Sequence, residues 1–309
     1  MQKITLITAT LPGLAALGAL LFTWIQVGQA NKELRISEHG QITSRFNTAV
    51  ENLGSPSLDV RLGGIYALER IMQDSARDHS TVVSVLAAFA QRHAGPSAKS
   101  RKEPTESAEA HKPGADVQAA LTVLARRRPE QDRGTPVDLG GSDFRGIDFP
   151  GHLPLKLPGV FLSKADLRGA QLEGADLRGA DLSFANLDQV MLDEAHLEDA
   201  FLGGASLRSA SLSNAHLRGA DMSCGSVVQD YETGEVTPID CTTLEAAFLD
   251  GADLRDATMS DANLRDTVLL GADLRGADLT NADFRGATLT GVKLDGAQRT
   301  GARGLPPEG

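Results

Sequence analysis

Aromatic side chains make up only 4% of this 309-residue chain, with a single Trp. A large globular core built on packed rings is therefore excluded. Cysteine is just as scarce: Cys224 and Cys241 are the only two, too few for a disulfide framework. Basic charge is in deficit. The formal net charge is −11, and from Val137 onward 28 acidic side chains face 14 basic ones, a balance of −14. Lys and Arg supply most nucleic-acid affinity by neutralising phosphates, so nucleic-acid binding is not expected. Catalytic patterns are missing too. The seven histidines are dispersed, no Gly-rich loop precedes a helix, and no Cys/His set has metal-ligand spacing. No enzyme activity, cofactor or metal is expected.

Long uncharged runs are absent with one exception, "ITLITATLPGLAALGALLFTWIQV" from Ile4 to Val27. At about 1.5 Å per residue it can cross a hydrocarbon core of about 30 Å. Trp24 sits where an interfacial anchor belongs. Gly28-Gln29-Ala30 loosely resembles a signal-peptide cleavage site, but the apolar stretch exceeds the usual h-region of about 7–15 residues. Residues 1–30 are therefore read as a retained transmembrane anchor, with a cleaved signal as the competing reading. Lys32, Arg35 and Arg45 after the span favour a single-pass protein with a cytoplasmic C-terminal body.

Between residues 37 and 94 the apolar spacing becomes helical. Ile42, Phe46, Ala49, Val50 and Leu53 form one stripe; Val60, Ile65, Leu68 and Ile71 a second; Val82, Val83, Leu86 and Phe89 a third. Three short amphipathic helices suggest a small module, similar to one and a half HEAT-type repeats. Gly63-Gly64 within the second marks either a close helix crossing, a kink or a break. Residues 95–115 have almost no apolar side chain and read as a disordered linker. Residues 116–128 form another amphipathic helix, expected to dock on the 37–94 module. Its terminal Arg126, Arg127 and Arg128 read as a solvated helix end, or as a contact to anionic headgroups.

What the chain does have is a period of five. In "ADLRGAQLEGADLRGADLSFANL" (Ala165–Leu187) a Leu stands at every fifth position. On an α-helix five residues advance about 500°, scattering the Leu around the axis. On a flat strand an odd period alternates faces. The set is buried together only if the chain turns a corner once per pentad. Ala165 and Leu167 then face inward, Asp166 outward, and Arg168-Gly169 makes the corner, where Gly relieves steric limits. Four sides close a square coil of about 20 residues, and coils stack about 4.8 Å apart.

In these pentads, "GADLRGADLTNADFRGATL" among them, the chain resembles the pentapeptide repeat family, whose consensus is A-[DN]-L-x-x. The resemblance implies a mainly β fold, a right-handed quadrilateral β-helix, over residues 137–298. Repeat centres include Leu167, Leu177, Leu197, Leu217, Leu254 and Leu274. About 29 pentads make about seven coils and a rod about 34 Å long. Leu139, Phe144 and Phe149 are out of phase with the later centres, so a break is expected near 150–156. A projecting hairpin is expected at 225–243, bringing Cys224 near Cys241, still as thiols if the compartment is cytosolic. Residues 299–309 read as a flexible tail. The stretches "VRLGGIYALERI", "DHSTVVSVLAAFAQR" and "DVQAALTVLARR" also resemble a module that precedes the repeats in membrane-tethered bacterial members.

Stacking at 20 residues predicts columns of outward side chains. Arg168, Asp188 and Arg208 form one, and Arg178, Glu198 and Arg218 another, with attraction between neighbours. Asp176, His196 and His216 form a third, read as solvated surface rather than a metal site. Outward apolar residues, Phe248, Val268 and Leu270 on one face and Phe161 and Phe201 on another, read as scattered surface hydrophobes or, alternatively, as a candidate partner site. The leading reading is a non-enzymatic, membrane-anchored scaffold presenting the rod to an unidentified protein partner. The alternative, implied by the family resemblance, is a DNA mimic acting on a topoisomerase such as gyrase.

Overall fold

The computed structural model describes residues 21–29, 32, 40–95, 112–148, 155–224 and 240–307. Residues 21–29 are helical and exposed; among the described residues no helix is long and apolar enough to cross a membrane. Most of the apolar stretch 4–27 lies outside the described residues. So do most of the linker (96–111), residues 149–154 at the phase break, and residues 225–239 of the predicted hairpin.

Among the described residues, the helices between residues 40 and 126 are α1 (residues 40–53), α2 (Leu58–Asp74), α3 (His79–Ala94) and α4 (Ala115–Arg126). Each buries an apolar stripe, and α2, α3 and α4 pack mutually. Ala49 and Leu53 of α1 are buried, but Val50 and Val60, assigned to stripes from spacing, are exposed. The inward face is filled instead by Ala49 and Leu53 on α1 and by Ile65, Leu68 and Ile71 on α2. The Gly63-Gly64 pair does not break α2, which runs through both as one helix. A Cβ on Gly64 would lie 2.8 Å from the Ala49 carbonyl oxygen and 3.0 Å from the Asn52 Cβ, whereas one on Gly63 meets nothing. Gly64 is thus where α1 crosses α2 with backbones nearly touching. At the start of α4, Asp116 accepts from Arg61 Nε at 2.7 Å, tying this helix to α2. Burial raises the Asp116 carboxyl, but the Arg61 and Val117 hydrogen bonds outweigh it and hold it below the usual range.

The Arg triplet requires a correction. Arg127 is not solvated: it is buried, with Nε 2.9 Å from Asp132 Oδ2. Its Nη1 donates to the Leu124 carbonyl and, at 2.8 Å, to that of Lys156 in the first complete coil. His79 closes the other side, 2.9 Å from Asp132 Oδ1. The helix ends at Arg126, and the chain then turns into a short 3-10 segment, Pro129–Gln131, that carries Asp132 back beneath it. Gln91 of α3 adds a hydrogen bond to the Gly140 carbonyl. The helices therefore cap one end of the rod, and helices and rod share one apolar core. A solenoid needs such a cover because its last coil otherwise exposes its interior.

In the rod each pentad contributes one side. Leu167, Leu177, Leu197, Leu217, Leu254 and Leu274 are all buried, each with a small residue two positions earlier sharing the shaft. The Leu177 amide donates to the His196 carbonyl at 2.8 Å and that of Leu197 to His216 at 2.7 Å, so coils pair as parallel rungs. Among the described residues these pairings are isolated bridges, not extended strands. The reason is geometric: the corner arrives before a second consecutive residue can pair. Corner residues adopt the left-handed region. Gly169 has φ of 64°, but Gln189, Glu194 and Asp199 adopt nearly the same value without glycine. For an L-residue that conformation costs roughly 1–2 kcal/mol. Here the rung hydrogen bonds on either side hold it.

Two registers depart from 20. Asp138 bridges Phe161 and Asp143 bridges Asp166, each 23 residues on, so three extra residues lie between Ile147 and Leu155. Ser206 bridges Thr243, 37 residues on, an excess of 17. Cys224 and Cys241 bound that excess, are themselves 17 apart, and pair antiparallel with Cα atoms 3.7 Å apart. They are joined as a disulfide, not left as the expected thiols. At the splice Thr242 occupies an inward small-residue slot. Its Oγ1 donates toward the Leu202 and Ser223 carbonyls and accepts from the Gly204 amide. At the far end the lattice does not stop at residue 298. Arg303 bridges Asp283, so the predicted tail continues the coil because its backbone still finds a rung to pair with.

Candidate functional site

The corners aim outward residues into four columns, and one is apolar for much of its length: Gln171, Met191, Ser211, Phe248, Val268, Thr288. Phe248 and Val268 lie on directly adjacent rungs. Leu270 follows two residues after Val268, at the next corner, where its carbonyl accepts from the Gly251 amide. Met191, Phe248 and Leu270 are 40%, 47% and 43% exposed, so the column is a surface and not a flank of the core. Met191 was missed in sequence; its 57-residue distance from Phe248 conceals that only Ser211 separates them. Phe161 and Phe201 share a different column, but Asp181 stands between them, so they do not form a continuous patch.

The shortest charge pairs on the rod lie within pentads, and the pairs between rungs, such as Arg208–Glu245 and Lys293–Asp273, are longer. Arg178 donates from Nε and Nη2 to the two oxygens of Asp176 at 2.8 and 2.7 Å. The same fork joins Arg168 to Asp166, Arg255 to Asp253, Arg275 to Asp273, and Arg285 to Asp283. The Arg178 hydrogen bond, against partial burial, holds the Asp176 carboxyl low. Hydrogen bonds from Arg275 and Arg285 draw Asp273 and Asp283 down to about 2. The expected vertical ladders form only in part: Arg168 and Arg178 turn to their own pentads, while Arg208 and Arg218 pair with carboxylates of the next coil. Asp188 accepts from the Ser206 hydroxyl and the Arg208 amide, and Arg218 reaches Asp256. A partner two residues away on the same outward side needs less side-chain ordering than one on the next coil. In the remaining column His196 and His216 stack, and Glu198 approaches them.

A square solenoid of Leu-centred pentads, offering outer faces rather than a cleft, defines a repeat protein. The profile of the pentapeptide repeats matches eight copies, over residues 156–183, 185–223, 242–270 and 268–302. Among solved structures, HetL, a pentapeptide repeat protein involved in heterocyst differentiation regulation from the cyanobacterium Nostoc sp. strain PCC 7120, is 32% identical. That match covers 54% of this chain and 80% of HetL, with a TM-score of 0.32. Rfr23, a pentapeptide repeat protein from the cyanobacterium Cyanothece 51142, is 29% identical, covering 41% of this chain and 63% of its own, with a TM-score of 0.20. QnrB1, a plasmid-mediated fluoroquinolone resistance protein, is 17% identical over 46% of this chain and 81% of its own, with a TM-score of 0.22. No curated protein matches. The chain belongs to the pentapeptide repeat family.

Proposed function

We propose that the protein is a non-enzymatic, membrane-tethered scaffold whose rod presents one side to a protein partner. The observation that carries this reading is the outward column of exposed Phe248 and half-buried Val268, with exposed Leu270 at its corner and exposed Met191 beyond Ser211. Phe248, Val268 and Leu270 are contiguous, and an outward apolar cluster of this kind marks a contact site. The tether rests on the uncharged stretch Ile4–Val27. Basic residues after that stretch favour a cytoplasmic rod, whereas the Cys224–Cys241 disulfide would persist on the oxidising side. The thiol state of the protein in isolated membranes decides between the two.

The test of the scaffold is affinity capture from membranes with the full chain and with a Phe248→Ser/Val268→Ser/Leu270→Ser variant. A partner held by the first and lost by the second supports the reading; equal capture by both removes this column as the interface. The second reading, a DNA mimic that binds gyrase, draws on the −14 balance of residues 137–309. The arginines of the Asp–Arg forks interleave positive charge along the rod, so the surface is not uniformly acidic, which weakens it. Stoichiometric inhibition of gyrase supercoiling by the protein would promote it.

A further inference from the structure

His196 and His216 occupy the same point on adjacent coils, and their rings stack with centroids 4.7 Å apart and planes 5° from parallel. Glu198 lies two residues beyond His196 on the same outward side, with Oε1 3.3 Å from His196 Nδ1. One ligating atom from each of the three lies within 4.8 Å of the others. The remaining Glu198 oxygen, Oε2, is buried and has no hydrogen-bond partner. A carboxylate oxygen shut away from water without a partner is costly, on the order of 1–3 kcal/mol or more.

The surroundings explain why that oxygen is stranded and why these three side chains differ from the rest of the column. The neighbouring rungs carry Asp176 and Asp253, and each is already forked by the arginine of its own pentad. Arg178 and Arg218, one coil away from Glu198 on either side, are committed to Asp176 and Asp256. The pentad of Glu198 has His196 where Asp176, Asp253 and Asp273 stand in the same column, so no Asp–Arg fork is possible there. What remains is two imidazoles and one carboxylate, converging in a column whose carboxylates Asp176, Asp253 and Asp273 are matched by their own arginines.

We infer that His196, Glu198 and His216 form a site for a divalent transition-metal ion of the zinc type. Two imidazole nitrogens and one carboxylate oxygen suit Zn²⁺, Ni²⁺ or Cu²⁺, whereas Mg²⁺ and Ca²⁺ require oxygen ligands throughout. With bonds of about 2.0–2.2 Å, the ligand atoms around a tetrahedral ion sit roughly 3.4 Å apart. The present spacing therefore closes by about an ångström on binding, within reach of rotation about the imidazole side chains. Three protein ligands leave a fourth position for water or for a donor from another molecule. The ion would also staple two successive coils from outside the shaft. Sequence spacing alone reads this column as solvated surface; the stacked rings and the orphaned oxygen are what revise that reading.

The test uses the full chain, stripped with a chelator and titrated with Zn²⁺ by calorimetry and with Co²⁺ by visible absorption. One ion per chain is expected, with cobalt bands of a four-coordinate site and a rise in the thermal midpoint, because only the folded chain assembles the site. Acid should weaken binding, since protons compete for the ring nitrogens. Mg²⁺ should give no saturable heat. His196→Asn, His216→Asn and Glu198→Gln should each weaken Zn²⁺ by at least about tenfold, the lower bound seen even when only an outer-shell partner is lost. Absence of saturable Zn²⁺ and Co²⁺ binding by the unmodified chain would overturn the inference, as would undiminished binding by the His196→Asn/His216→Asn pair. Should a variant fail to fold, diethylpyrocarbonate labelling of the unmodified chain decides. Zn²⁺ must protect His196 and His216 from modification, and equal labelling with and without the ion rejects the site.

Discussion

The Arg127 guanidinium lies 2.9 Å from the Asp132 carboxylate with both side chains almost wholly buried, and the same guanidinium grips the Lys156 carbonyl of the rod. One ion pair thus fastens the helical cap to the first coil.

Removing one member strands the other. Arg127→Met should destabilise the protein by about 3–5 kcal/mol, since it leaves Asp132 charged in a dry site with only His79 beside it. Urea denaturation followed by circular dichroism measures this. A loss below about 1 kcal/mol would mean that the junction relaxes or admits water.

The two adjacent glycines of α2 should respond with opposite sign. Gly63→Ala meets open space and should gain up to about 1 kcal/mol of helix propensity. Gly64→Ala drives a methyl against the Ala49 carbonyl at 2.8 Å and should cost about 1–3 kcal/mol. Thermal midpoints of the two variants, compared with the parent, check both. Equal effects would show that α1 does not cross at Gly64.

Acid should loosen the rod through its Asp–Arg forks. Asp273 and Asp283 titrate at about 2 in the folded chain because Arg275 and Arg285 hydrogen-bond the carboxylates, against about 3.9 for an unperturbed aspartate. A lowered folded value means that the stabilisation is complete above about pH 4 and disappears as the pH falls toward 2. The fall in thermal midpoint over that window should be shallower for Arg275→Gln/Arg285→Gln, whose forks are already gone. Parallel curves would show that solvent screens these exposed pairs completely.

The 17-residue excess between Ser206 and Thr243 should be removable. Deleting residues 225–241 joins Cys224 to Thr242 and sets Met222 and Leu244 five positions apart, the spacing of neighbouring centres from Leu157 to Met222 and from Leu244 to Leu294. The shortened chain should keep its circular dichroism spectrum and unfold in one cooperative transition. Loss of cooperativity would mean that the excursion braces the coils it interrupts.

The rod was legible because its signal is local and repeated. Leu167, Leu177 and Leu197 carry the period, and no side chain elsewhere is needed to see it. Columns such as Phe248 and Val268 followed from the same arithmetic. Met191 escaped because the excess of 17 residues between it and Phe248 hides that one rung separates them. The Arg168–Asp188–Arg208 attraction was misjudged because spacing places Cα atoms and leaves the choice of side-chain partner open. Arg168 chose the carboxylate two residues back. Arg127 read as solvated because a helix end usually is, and nothing local announces that Asp132 returns beneath it.

Sequence by itself determined the architecture: a residue-level period of five admits one shape that keeps aliphatic side chains from water, and small residues at alternate inward positions set the shaft's width. Tertiary structure alone decided what the outside of that shape can do. It brought His196 against His216 across a coil, left an oxygen of Glu198 without a partner, and buried Arg127 at the cap. The physical reason is range. Burial of a repeated apolar residue is enforced at every pentad by its nearest neighbours, whereas the pairing of polar side chains depends on which distant residues the finished coils happen to place within a few ångströms.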